Sequence, residues 1–269
     1  MSDQDPPQGG ASEQILQRTE NGVVWITINR PDVKNAIAPA NRDRIIELLD
    51  GAGADPEARC VVITGSGGSF CSGADLRGSS GSSSDGVADV IRKGAQRLIS
   101  AVLDCPKPVI AGVDGVAAGI GAHLAIACDL VVATESARFI EVFVRRGLVP
   151  DGGGAYLLVR LVGPLKAKEL IFFGGDLHAQ DAQEIGLVNC VCPADQLDDV
   201  LREWSGRLAS GPTQTIAFAK KLINTAHDVD RATAFDAEAL AQEANMKTED
   251  AQEGVRSFVE RREPNFKGK

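Results

Sequence analysis

The chain has 269 residues, a formal net charge of −9, 43% hydrophobic and 24% charged residues, which is long enough and apolar enough to bury one large core. Its acidity argues against general nucleic-acid binding and against attraction to anionic membranes. No apolar run approaches the roughly 20 residues needed to span a bilayer, so no membrane insertion is expected.

Residues 1–14 carry neither a basic segment nor an apolar stretch and are expected to be a disordered tail rather than a signal peptide. Residues 15–18 and 23–28 read as strands joined by a Glu20-Asn21-Gly22 turn, a hairpin signal. Helical periodicity runs over 39–49, a strand over 60–64, a loop over 65–73, and a Ser/Gly-rich stretch over 77–86. A helix over 87–103 and strands over 108–113 and 130–134 continue the alternation. After Gly152 the pattern turns helical: 155–161, 165–173, 179–185, 197–208, 213–225, 232–244 and 248–261, with one strand at 187–191. This predicts an α/β core over 15–195 and a helical region over 196–269. The six cysteines show neither C-x-x-C pairs nor Cys/His ligand spacing, which predicts reduced thiols, no metal site and a cytoplasmic protein.

The densest run of small residues follows the 108–113 strand: Gly115, Ala117, Ala118, Gly119 and Gly121, then a helix. Such a run lets another group approach the backbone closely. It serves either tight helix-on-sheet packing or an oxyanion site, because helix-start N–H groups suit partial negative charge. Gly119-Ile120-Gly121 is not a dinucleotide fingerprint, since Leu124 stands where a third glycine is required; the Gly65–Gly68 turn has no Gly-Lys-Ser/Thr and is no phosphate loop.

Six segments in order carry a resemblance: VVWITINRPDVKNAI (23–37), VVITGSGGSFCSGADL (61–76), KPVIAGVDGVAAGIGAHLAIACDLVVAT (107–134), RFIEVFVRRGLVPDGGGAYLLVRLVG (138–163), AQDAQEIGLVNCVC (179–192) and EGVRSFVERREPNF (253–266). The chain resembles the crotonase, or enoyl-CoA hydratase/isomerase, superfamily from about residue 15 to 269, and its tail is most similar to the ring-epoxide isomerase branch of phenylacetyl-CoA breakdown. The resemblance implies a spiral of ββα units, a homotrimer or dimer of trimers assembled through C-terminal helices, and an acyl-CoA thioester substrate with no other cofactor. It implies two backbone N–H donors for the thioester oxygen: Ala74 and, by register, Ile120, with Gly119 or Gly121 if the register slips. It also places CoA contacts at Lys34, Ala36, Ala74, Asp75 and Leu76, with Phe266 or Lys267 from the tail, and makes the 77–86 stretch an adaptable lid where the acyl chain enters.

The two glutamates of typical hydratases fall, by the same register, on His123 and Phe143. Paired-carboxylate hydration is therefore not expected. Asp151 matches an acid of several isomerase branches, and a double-bond shift needs only one group to move a proton between carbons. The expected activity is acyl-CoA double-bond isomerisation with Asp151 as shuttle. The alternatives are hydration with His123 or Asp151 as base, and a non-catalytic acyl-CoA-binding protein. Asp151 also suits a helix N-cap. His123 suits a structural role, water orientation or a second acid/base. Phe143 reads as an acyl-pocket wall, and a side chain at Ile120 as a constriction of that pocket. Glu141, two residues before Phe143, is expected to point elsewhere.

Overall fold

The computed structural model describes residues 10–77 and 86–269, so residues 1–9 of the expected tail and 78–85 of the expected lid lie outside the described residues. Asn21 and Gly22 both take positive φ, 51° and 75°, the geometry that a two-residue hairpin turn requires. They join β1 (Ile15–Glu20) to β2 (Val23–Ile28) as an antiparallel pair. Parallel strands follow: β3 (Cys60–Gly65), β4 (Val109–Val113), β6 (Leu130–Thr134) and β9 (Cys190–Cys192), giving the order β1-β2-β3-β4-β6-β9. Ala11–Gln14 forms a helical turn rather than tail, because the Gln14 carbonyl accepts the Asn29 N–H at 2.7 Å and its side chain accepts from Asn41 at 2.8 Å.

Both faces of this sheet are covered, which explains why β3 and β4 read as unbroken apolar runs. Val24, Ile26, Ile28, Val61 and Ile63 face the larger core. Val23, Trp25, Cys60, Val62 and Ile110 face the other side, beneath Leu197 and Leu201 of the helix Leu197–Ala209. Gly112 is needed there, since a Cβ would sit 2.5 Å from a Leu201 methyl. The cysteines are all free, and burial pushes the Cys60 and Cys71 thiols up to about 12, so they are inert.

A second, three-stranded sheet holds β5 (Val116–Ala118), β7 (Arg138–Ile140) and β8 (Asp176–His178), in that order. Three-residue strands are too short to show a period, so no sequence pattern announced them. The strand expected at 187–191 is displaced to Cys190–Cys192, because Leu187 folds back to donate to the Ala182 carbonyl and is buried in a turn. The helices expected at 155–161 and 165–173 are two arms of Gly154–Phe173, broken where Gly163 (φ 75°) precedes Pro164. The helical C-terminal region is present as Leu197–Ala209, Thr213–Thr225, Arg231–Asn245 and Glu249–Glu260. Among the described residues no helix is long and apolar enough to cross a membrane.

Candidate active site

The carboxyl ends of β3 and β4 meet where segment 71–75 lies along β5. Cys71 bridges Ala117, and Ala74 bridges Ile37, both in parallel sense. The second bridge uses the Ile37 N–H to the Gly73 carbonyl (2.8 Å) and the Asp75 N–H to the Ile37 carbonyl (2.9 Å). A parallel bridge of this kind turns the bridged residue's own N–H away from its partner, so the Ala74 N–H faces the side of β5 and the helix Ile120–Ala127. Contact there is tight. A Cβ on Gly73 would lie 3.1 Å from the Ala118 carbonyl oxygen, and one on Gly121 only 2.4 Å from the Cys71 carbonyl oxygen. Gly119 caps the helix at φ 53° and gives its own N–H to the Ile140 carbonyl at 2.9 Å, which removes it as a free donor. Ile120 is the first helical residue, so its N–H has no acceptor within the helix. Its side chain is buried, with Cδ1 beneath Gly152.

The loop before the site is braced by buried polar groups. Arg30, 5% exposed, donates to the Ala36 carbonyl and to Asp75 at 2.9 Å. Asn35, fully buried at φ 58°, accepts the Arg30 N–H and donates to the Ser66 and Ser69 carbonyls. The Arg77 guanidinium, and after it that of Arg30, hold the Asp75 carboxyl down at about 2 against the opposing effect of burial.

His123, one turn along from Ile120, is fully buried. Its Nε2 lies 3.0 and 3.2 Å from the two carboxylate oxygens of Glu141, itself 6% exposed. The ring stacks on Phe143 with centroids 5.2 Å apart and planes at 12°. Gly154 completes the clamp, since a Cβ there would be 2.1 Å from Nε2. The expectation for Glu141 is thus corrected. It sits at the junction of β7 with a 3-10 turn, at φ −80° and ψ 69°, so neither strand nor helix periodicity governs where it points. The available signal was an acidic residue inside the apolar run Phe139-Ile140-Glu141-Val142-Phe143, since buried carboxylates are paired.

Asp151 lies in the turn that opens the helix Gly154–Phe173. The helix is capped by Gly153, with no side-chain cap bond, so the N-cap reading of Asp151 is excluded. Gly152 and Gly153 take φ 59° and 83° and let the turn pass against Ile120 and Ile99. Burial pushes the Asp151 carboxyl above the ordinary aspartate range, and the nearby His123 works in the opposite direction. No hydrogen bond to its carboxylate is made by the described residues.

The enoyl-CoA hydratase/isomerase family model matches residues 18–269. The chain belongs to the enoyl-CoA hydratase/isomerase family. It is an enzyme of the crotonase superfamily. A Rhodobacter capsulatus protein named "Probable enoyl-CoA hydratase" is 37% identical over 255 residues, 95% of this chain and 98% of the relative. The 1,2-epoxyphenylacetyl-CoA isomerase of Escherichia coli is 35% identical, covering 96% and 99%. The crystal structure of an enoyl-CoA hydratase from Bacillus anthracis superposes with a TM-score of 0.89 at 33% identity, covering 95% and 100%.

Among the residues expected to contact CoA, this family member brings Lys34, Ala36, Asp75 and Leu76 to one rim. The Ser72 N–H donates to the Lys34 carbonyl at 2.9 Å, and Leu76 is exposed. Asp75 is held by its two arginines, an anchor for the neighbouring Ala74 N–H. Phe266 and Lys267 are not brought there within one chain. They lie beside Gly22 and Arg59, at the amino ends of β2 and β3, with the Lys267 N–H bonded to Asp250. A strand's length separates the two ends of the sheet.

A carboxyl lowered by folding adds stability above its ordinary value and loses that contribution as pH falls through the folded value. Asp75→Asn is therefore expected to lower stability at neutral pH by about 1 kcal/mol, because Arg77, the stronger of the two partners, is exposed and screened by solvent. The gap to wild type should close as pH drops from about 4 through about 2, as measured by denaturant unfolding.

Proposed function

We propose that this family member is an acyl-CoA double-bond isomerase. The observation that carries the reading is the state of Asp151: its carboxylate is half-buried, bound to no described side chain, and pushed up by burial. A group of that kind can take a proton at the pH of the cell and give it back. The other carboxylate near His123, Glu141, is committed to the imidazole, which leaves one free carboxylate where a water-activating pair needs two.

In this reading the Ala74 and Ile120 N–H groups receive the thioester oxygen. Asp151 removes the proton at C2 of a 3-enoyl-CoA, and negative charge moves to the oxygen. Backbone donors are already in place when that charge forms and do not titrate; one such donor is typically worth about 2.7–4 kcal/mol. The protonated Asp151 then delivers its proton to C4, and the double bond rests at C2. The names of relatives support both halves of the family's chemistry, one an epoxyphenylacetyl-CoA isomerase and one a hydratase. Hydration through His123 is disfavoured by its complete burial.

Self-association through the C-terminal half, as a homotrimer or a dimer of trimers, is supported by large apolar side chains left exposed: Leu165 82%, Phe173 78%, Phe235 62% and Phe258 84%. The deciding experiment incubates the protein separately with a 3-enoyl-CoA and a 2-enoyl-CoA and weighs the products. A 2-enoyl product of unchanged mass from the first supports isomerisation. Gain of one water from the second, with no shift in the first, establishes hydration instead. Neither change, with acyl-CoA still bound, favours a binding protein.

A further inference from the structure

The His123–Glu141 pair is an expensive construction for an apolar site. Both residues are buried, and each oxygen of Glu141 has His123 Nε2 as its neighbour. Such a pair is tolerated only when the geometry satisfies both members. The ring is fixed on three sides, by Glu141 at Nε2, Phe143 across its face and Gly154 against its edge. Its other nitrogen, Nδ1, is buried with no partner among the described residues, which is rare for a native polar atom.

A carboxylate can only accept. Contact with Glu141 therefore places a proton on Nε2 and leaves Nδ1 as the open nitrogen, the second-partner logic that sets histidine tautomers generally. Gly154, against which the ring edge packs, stands three residues after Asp151, where the turn enters the helix Gly154–Phe173. We propose that Glu141 is a positioning residue of the active site: it locks His123 in the Nε2–H tautomer, with Nδ1 open, and so holds a fixed polar ring beside the proton-carrying Asp151. Glu141 comes from the turn after β7, and Asp151 from the turn before Gly154. Arg145, on the same 3-10 turn as Phe143, is drawn off to Asp176 at 2.7 Å. The proposal rests on the isomerase reading for its kinetic arm alone.

The test combines histidine nitrogen NMR on the full-length protein with kinetics on a 3-enoyl-CoA. The protein has three histidines, and the His123→Leu variant assigns the signal. Wild type is expected to show His123 protonated at Nε2 and bare at Nδ1. Glu141→Gln keeps an acceptor and should keep this tautomer and most of the turnover. Glu141→Met removes it, and should scramble the tautomer and lower kcat about 10- to 100-fold with KM within about twofold. It should also move the midpoint of the pH profile of kcat/KM. In a His123→Leu background, Glu141→Met should change kcat no further, since Glu141 acts through the ring; this double variant is apolar throughout and avoids an unpaired buried charge.

A wild-type ring protonated at Nδ1 alone would overturn the proposal. So would unchanged His123 signals in Glu141→Met, or an undiminished kcat loss in the His123→Leu background. If wild type shifts no double bond at all, the isomerase reading fails, and the nitrogen signals of wild type and Glu141→Met then decide the pairing alone.

Discussion

Asp151→Asn is expected to lower turnover of a 3-enoyl-CoA by about 10³-fold, within the range for removing a general acid–base, with acyl-CoA affinity within about threefold. The substitution preserves shape and removes the proton-carrying oxygen; because no described group hydrogen-bonds the carboxylate, nothing nearby loses a partner. Its pH behaviour follows from the sign of the shift. Burial raises the Asp151 carboxyl, so the acid limb of the wild-type rate profile should lie above the ordinary aspartate value, with activity rising as the group ionises. For stability the sign is opposite to that of Asp75. A raised carboxyl stabilises the folded state at low pH and loses that contribution as pH rises through the folded value. The Asn variant should therefore be at least as stable as wild type at neutral pH, and the difference should vanish in acid. Stopped assays across pH, paired with thermal melts of both proteins, check this. Retained turnover in Asp151→Asn would remove Asp151 from the chemistry.

Gly121→Ala is expected to do the reverse of what helix propensity says. Replacing glycine by alanine inside a helix ordinarily gains about 1 kcal/mol. Here the new methyl would lie 2.4 Å from the Cys71 carbonyl oxygen and 2.7 Å from the Cys71 Cβ. Those atoms belong to the backbone bridged to Ala117, so relief must come from segment 71–75 or from the helix start. Overpacking of this sort costs about 1–3 kcal/mol. The effect on catalysis should be larger. Ala74 sits on one side of that contact and Ile120 on the other, so separating them spoils the aim of the two N–H groups together. Loss of one oxyanion donor lowers kcat by about 10²–10³, and the same range is expected for Gly121→Ala, with a smaller change in KM. A variant that is both more stable and fully active would refute the close approach.

Much of this architecture is legible along the chain because its signals are local. The Asn21-Gly22 turn, the apolar runs of β3 and β4, and the Gly-Pro break at 163–164 each depend on a few neighbouring residues. The six ordered segments identified the family, and the small residues 115–121 announced a close approach. What they approach, segment 71–75, is distant in sequence and was supplied by the resemblance rather than by any period.

The chain's order of residues determined by itself the α/β core and the helical C-terminal region, while the resemblance carried by its six segments implied Asp151 as the candidate acid and set His123 and Phe143 where typical hydratases have glutamates. Each of these is a matter of residue type at a position. Tertiary structure decided the rest. The second sheet exists only through pairing of three-residue strands drawn from 116–118, 138–140 and 176–178. That Asp151 is not a helix cap, that Gly119 has already given away its N–H, and that the tail residues Phe266 and Lys267 sit at the far end of the sheet all follow from long-range contacts. Glu141 is the clearest case. A residue in irregular backbone carries no periodic direction, and its partner His123 stands 18 positions away. Only folding β7 against the helix Ile120–Ala127 reveals that two polar residues in separate apolar runs satisfy one another.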